Sequence, residues 1–247
     1  INNKATKQMR PQGVRAAKKG FGKKVAKTPE TLETQAKQSR ELAEFCYDYL
    51  CNKKKVVRLL YDARYISQFN IDWGVWNDPQ VPETFSCYSD LVMETLLEKV
   101  HPRMEIEEGV KLNPTYSYTR LYKKGDVLER HKDRYSCEIS TTLNLGGDPW
   151  SIFLEPDASK GGYEKDEYKP SKSKGKEIEL GVGDMLIYRG CELEHWREKF
   201  EGESCGQVFF HYNDANGEDA EENKFDTRPF LGLPPWFKGF KIEKTTK

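Results

Sequence analysis

From Thr115 onward the chain breaks into short β-prone runs separated by glycine turns, and that punctuation restricts it to sheet architectures. The runs cover 115–122, 138–145, 151–154, 177–182, 184–188 and 207–212, with turns at Lys124-Gly125-Asp126 and Gly146-Gly147. Many short strands spaced this evenly close into an all-β sandwich or jelly roll. The 247 residues, 36% hydrophobic and 12% aromatic, supply one sizeable core, enough for one domain of that size with extensions. No repeat of 20 to 50 residues is present.

The first half is expected to be helical with short strands. Thr28 can cap, Pro29 suits a first turn, and Leu32, Leu42, Phe45, Tyr49 and Leu50 share one helical face. A helix of about 20 residues is expected there, within the ordinary range for globular helices. Residues 56–72 are richer in β-branched and aromatic side chains and lead into the turn-rich Trp73–Pro79 segment. Helical spacing returns at Leu91, Val92, Leu96 and Leu97, with Pro102 expected to end that helix and His101 to serve as its C-terminal cap. The fold class is therefore α+β, mainly β: a jelly roll supported by N-terminal helices.

Charge divides the chain unevenly. The 40 basic and 40 acidic residues cancel, yet residues 1–28 hold nine basic side chains and no acid, leaving 31 basic against 40 acidic beyond them. The expected organisation is a flexible basic arm (1–28), a helical support region (29–113), a β core (114–215) and a C-terminal extension (216–247) whose aromatic segment packs back on the body. The arm suits an acidic partner or nucleic acid. Residues 157–176, rich in Lys, Gly and Ser without apolar periodicity, are expected to be a polar loop or lid over the site. Six scattered cysteines without a C-x-x-C pair suit free thiols in a reducing cytoplasm, and no apolar run approaches the roughly 20 residues of a membrane span. No membrane partner is expected.

Four histidines are available: His101, His131, His195 and His211. His131-Lys132-Asp133 is an H-x-D step at an expected strand entry, where residues i and i+2 share a face and can bind one metal ion. His195 follows the Gly183-Asp184-Met185-Leu186-Ile187-Tyr188 strand and its Arg189-Gly190 turn. Two histidines and one carboxylate on one face make the facial triad that holds non-heme Fe(II) with open positions. Zinc is a poorer match, because an H-E-x-x-H helix is absent. Trp150, Trp196 and Trp236 are expected in core or tail packing, and Cys137 and Cys191 near the metal.

Two segments carry a resemblance to a known family. Tyr122-Lys-Lys-Gly125-Asp-Val-Leu-Glu-Arg-His131-Lys-Asp133 and Gly183-Asp-Met-Leu-Ile-Tyr-Arg-Gly190 before His195 resemble the Fe(II)/2-oxoglutarate-dependent oxygenases, in particular the prolyl-4-hydroxylase-like branch. Glu194-His-Trp-Arg-Glu198 is similar to uncharacterised members carried by marine bacteriophages, which would place the protein in a host cytoplasm. The resemblance spans roughly residues 114–213. It implies a double-stranded β-helix with Fe(II) on His131, Asp133 and His195. It also implies hydroxylation of a substrate C–H bond using 2-oxoglutarate and O₂, with release of succinate and CO₂ and with ascorbate as a further cofactor. The leading substrate class is a protein or peptide side chain such as proline, ahead of a nucleic acid or small metabolite; the alternative is a non-catalytic metal-binding jelly roll. A carboxylate at Asp133, where halogenases of the superfamily have a small residue, favours hydroxylation.

The family pattern breaks at one point. It places a base 9 to 12 residues beyond the distal histidine to pair with the far carboxylate of 2-oxoglutarate, whereas Ser204–Gln207 contains none. Tyr122 is the first candidate for that carboxylate, followed by Arg197, Gln207 and His211.

Overall fold

The computed structural model describes the backbone of residues 15–17 and 29–239 except 166, with side chains from residue 37 onward. The chain runs through β1 (Arg15–Ala17), α1 (Pro29–Asp62), β2 (Phe85–Tyr88), α2 (Leu91–Glu108) and β3 (Leu112–Lys123). There follow β4 (Leu128–His131), β5 (Ile139–Gly147), β6 (Ile152–Leu154), β7 (Gly162–Glu164), β8 (Glu167–Lys169) and β9 (Lys176–Ile178). β10 (Met185–Tyr188), β11 (His195–Arg197), β12 (Ser204–Asp214) and the short α3 (Ala220–Asn223) complete it. One sheet has the order β1-β10-β5-β12-β3-β2, a second β4-β11-β6-β9, and β7-β8 is a separate hairpin. Neighbouring strands are antiparallel throughout. This is the double-stranded β-helix, α+β in class and mainly β.

The two-residue period of the strands divides the larger sheet into unlike faces. Ile139, Leu143 and Leu145 of β5, Val208, Phe210 and Tyr212 of β12, and Met185 and Ile187 of β10 join the main core cluster. Ala43, Cys46, Leu50 and Val57 of α1 and Met93, Leu97 and Val100 of α2 belong to that same cluster, so the principal core lies between helices and sheet. The alternating positions include Tyr122, Ser140, Thr142, Gln207 and His211, all buried. A buried polar face inside a jelly roll has been kept at a desolvation cost, and it is where the site lies.

Three local expectations are corrected. α1 extends to Asp62, well beyond about 20 residues. Val57 continues the spacing of Ala43, Cys46 and Leu50 into the core, and the roughly 1.5–3 kcal/mol from burying such a side chain outweighs its propensity deficit of a few tenths. α2 passes through Pro102 and ends at Glu108, where Gly109 takes a left-handed conformation (φ 74°). Pro102 and Glu98, whose carbonyl loses its helical partner, both face solvent, so water can replace the missing bond. His101 is consequently mid-helix, its Nε2 2.8 Å from the Leu112 carbonyl and its ring stacked on Tyr212. Residues 157–176, expected to be loop, contain the β7–β8 hairpin. Tertiary hydrogen bonds hold it: Tyr168 Oη and Ser171 N donate to Glu194 Oε1 at 3.0 and 2.8 Å.

At the amino end, Arg15 of β1 lies opposite Ile187 of β10, and the rest of the basic arm lies outside the described residues, as do 240–247. The aromatic C-terminal segment packs back through a buried ion pair. Arg228 Nη2 donates to Glu94 Oε1 at 2.9 Å, and its remaining donors reach the Phe225, Leu233 and Thr115 carbonyls. Leu231 is buried, whereas Trp236 is exposed and donates to Asp72. All six cysteines are free. No helix among the described residues is long and apolar enough to cross a membrane.

Candidate metal centre and the cavity beside it

His131 is the last residue of β4 and His195 the first of β11, and the two stand directly opposite in the antiparallel ladder. Their ring centroids are 4.2 Å apart. The H-x-D step thus closes a strand rather than opening one, because pairing with β11 ends at His195. Asp133 lies beyond β4 and is held by its N–H donating to the Gly190 carbonyl at 2.9 Å. Its Oδ1 comes to 3.6 Å from the Nε2 of each histidine.

The donor set suits a metal ion. His131 Nδ1 is 2.7 Å from the Glu129 carbonyl and His195 Nδ1 2.9 Å from that of Leu193. Each Nδ1–H therefore donates to backbone, leaving the Nε2 lone pairs free and facing Asp133. One ligand atom from each of the three residues lies within 4.8 Å of the others. Burial opposes the Asp133 charge, but the adjacent His195 and His131 rings hold the carboxyl well below the usual carboxylate range. Burial lowers His131, whereas at His195 the Asp133 carboxylate outweighs burial and raises the imidazole. A carboxylate with two imidazoles of fixed tautomer matches the 2-His-1-carboxylate arrangement of Fe(II) sites.

Beside these residues lies a cavity of about 210 Å³. Its walls include Tyr116, Tyr118 and Arg120 of β3 and Phe209 and His211 of β12, with Asp78 and Gln80 from the segment before β2. Among the described residues, none of 157–176 lines it.

The candidates for the co-substrate carboxylate separate into two places. Arg197 is buried, donates to the Trp150 carbonyl, to Thr142 Oγ1 at 3.2 Å and to Gln207 Oε1 at 3.3 Å, and among the described residues faces no carboxylate within ion-pair distance. Its Nε has no acceptor, and burial pulls the guanidinium below its ordinary value. Trp150 lies under Arg197 and meets Tyr122 edge-on at 4.7 Å. Tyr122, Arg197 and Gln207 are thus brought together. His211 is four residues along the strand, about 13 Å, from Gln207. Its Nδ1 is 2.9 Å from Ser140 Oγ, at the metal end of the cavity, and burial lowers its imidazole to about 4.

Arg120 escapes sequence reasoning. Its Cα stands opposite Gln207 in the β3–β12 ladder, so a cation occupies the strand next to the one where the family places its base. Nη2 donates to Asp78 Oδ2 at 2.5 Å and to Gln80 Oε1 at 2.6 Å, Nη1 lies 3.5 Å from Tyr122 Oη, and Nε has no acceptor. The available signal is the alternation Tyr116-x-Tyr118-x-Arg120-x-Tyr122, which puts Arg120 on the face of Tyr122.

No model of a known protein family matches the chain, and no curated protein does. Solved structures match the fold. The chain is similar to AviO1 from Streptomyces viridochromogenes at 11% identity, covering 84% of this chain and 92% of that one, with a TM-score of 0.50. It is also similar to a Pseudomonas putida prolyl-4-hydroxylase (13% identity, 70% and 86% covered, TM-score 0.45). A third match is HygX from Streptomyces hygroscopicus, solved with nickel and 2-oxoglutarate (14% identity, 66% and 80% covered, TM-score 0.45). At these identities the AviO1 match establishes the fold alone.

Proposed function

We propose that the protein is an Fe(II)- and 2-oxoglutarate-dependent oxygenase that hydroxylates a substrate C–H bond. The convergence of His131 Nε2, His195 Nε2 and Asp133 Oδ1 beside a cavity that has Arg120 in its wall carries this reading. Fe(II) held there would, with 2-oxoglutarate and O₂, supply the oxidising chemistry that yields succinate, CO₂ and a hydroxylated product. The chain's own contribution is binding, orientation and exclusion of water.

Charge supports the co-substrate. Arg120 and Arg197 set two guanidinium charges near Tyr122, and Asp78 offsets one of them. One further carboxylate would balance this end, as the far carboxylate of 2-oxoglutarate does, with Arg120 on the cavity wall and Tyr122, Arg197 and Gln207 behind it. Size supports a side-chain substrate. A cavity of about 210 Å³ is smaller than the roughly 300–1,000 Å³ that enclose a drug-sized ligand. It suits a small co-substrate and the reacting end of a larger molecule, which favours a protein or peptide side chain such as proline.

The test is succinate formation from 2-oxoglutarate by the purified chain, with and without Fe(II), in the presence of proline-containing peptides. Iron-dependent turnover abolished by His131→Ala and by Asp133→Ala is expected. Absence of turnover, together with a melting temperature raised by iron but not further by 2-oxoglutarate, would assign a non-catalytic metal-binding jelly roll instead.

A further inference from the structure

Asp133 offers a metal one oxygen, and the structure accounts for the other. Oδ2 lies 3.0 Å from Ser140 Oγ, and Ser140 Oγ lies 2.9 Å from His211 Nδ1. Ser140 is on β5 and His211 directly opposite it on β12, both on the buried polar face of the larger sheet. The hydroxyl has one proton and two acceptors in reach, Asp133 Oδ2 and the Cys137 carbonyl, also at 3.0 Å. The charged acceptor makes the stronger bond, and a lone pair aimed at an ionised Oδ2 would be repelled, so the proton belongs to Asp133. With the hydroxyl proton committed, His211 Nδ1 must be the donor to Ser140. The backbone is shaped around this chain of bonds: a Cβ at Gly190 would overlap both Ser140 Oγ and Asp133 Oδ2.

We infer that His211 and Ser140 are positioning residues for the metal site: they pin Oδ2 of Asp133 so that Oδ1 alone faces the two histidine Nε2 atoms. This rests on the assignment of His131, Asp133 and His195 as metal ligands. A carboxylate left free to rotate would bind less tightly and would alternate between one and two contacts with the ion. His211 is thereby reassigned from the co-substrate carboxylate to the support of a ligand. Because the two residues act in series, removing either breaks the same constraint.

Co(II) affinity of the full chain, titrated optically without 2-oxoglutarate, tests this. Ser140→Ala and His211→Leu are each expected to weaken Co(II) by about 10–100-fold, the usual effect of losing a partner of a ligand. The double variant should lose no more than Ser140→Ala alone, and His211→Asn, whose amide can donate from the Nδ1 position, should restore most of the affinity. Melting temperatures of the metal-free variants identify any loss due to misfolding. Unchanged affinity in both single variants, or losses that add in the double variant, would overturn the inference while leaving the ligand assignment intact. Failure of the wild-type chain to bind Co(II) in a manner sensitive to His131→Ala would overturn that assignment, and this inference with it.

Discussion

Two ends of the molecule bury arginine in opposite ways. Arg228, under the C-terminal segment, meets Glu94 with both side chains fully enclosed, and its donors are taken by Glu94 and three backbone carbonyls. Arg197, between the sheets, is as deeply buried but has only neutral acceptors and an Nε with none. Arg120 is intermediate, paired with Asp78 but facing the cavity with an unused Nε. A buried cation with every donor satisfied belongs to the architecture. One left short of an anion carries a desolvation cost that a bound anion would offset.

The largest expected effect falls on the sealed pair. Glu94→Ala leaves Arg228 buried and uncompensated, and should cost about 3–5 kcal/mol of stability in denaturant unfolding, without changing 2-oxoglutarate affinity in the protein that remains folded. Equal losses in Glu94→Ala and Arg197→Met would break the contrast. Arg197→Met removes an unpaired charge, so stability should be unchanged or higher. Affinity for 2-oxoglutarate should fall by about 10–100-fold, the equivalent of one charged hydrogen bond. Calorimetric titration of the Fe(II)-loaded variant under anaerobic conditions checks this.

A smaller effect concerns the neutral base on the same inner face. Burial lowers His211 from its ordinary 6.5 to about 4, so between those values the unfolded chain binds more protons and stability falls as pH falls. For metal-free protein this amounts to about 2 kcal/mol between pH 7 and pH 5, fully present above the unfolded value and lost toward pH 4. The His211→Asn variant should lack that part of the pH dependence, and an identical slope in both proteins would contradict it.

What the sequence revealed follows the same division between local and tertiary causes. The candidate ligands His131, Asp133 and His195, which the fold brings within reach of one another, were legible because H-x-D and a histidine after a Gly-Asp strand are local patterns. Arg120 was not, because its importance comes from standing opposite Gln207, a register that no single strand encodes. The β7–β8 hairpin has no periodicity of its own and takes its order from Glu194, a residue of another segment. α1 was read short because Val56 and Val57 suit strands, and the packing of Val57 overrode that preference. The contact of His211 with Ser140 was not legible either, since a strand face says which way a side chain points and not what it meets across the sheet.

The central claim is that one cavity joins a metal on His131, Asp133 and His195 to a carboxylate site near Arg120, Tyr122 and Arg197. Its most direct test is anaerobic addition of 2-oxoglutarate to the Fe(II)-loaded chain, followed by visible absorption. A saturable charge-transfer band that disappears in Asp133→Ala and needs more 2-oxoglutarate in Arg197→Met is the expected result. Iron binding that gives no such band at any concentration of 2-oxoglutarate would contradict the claim.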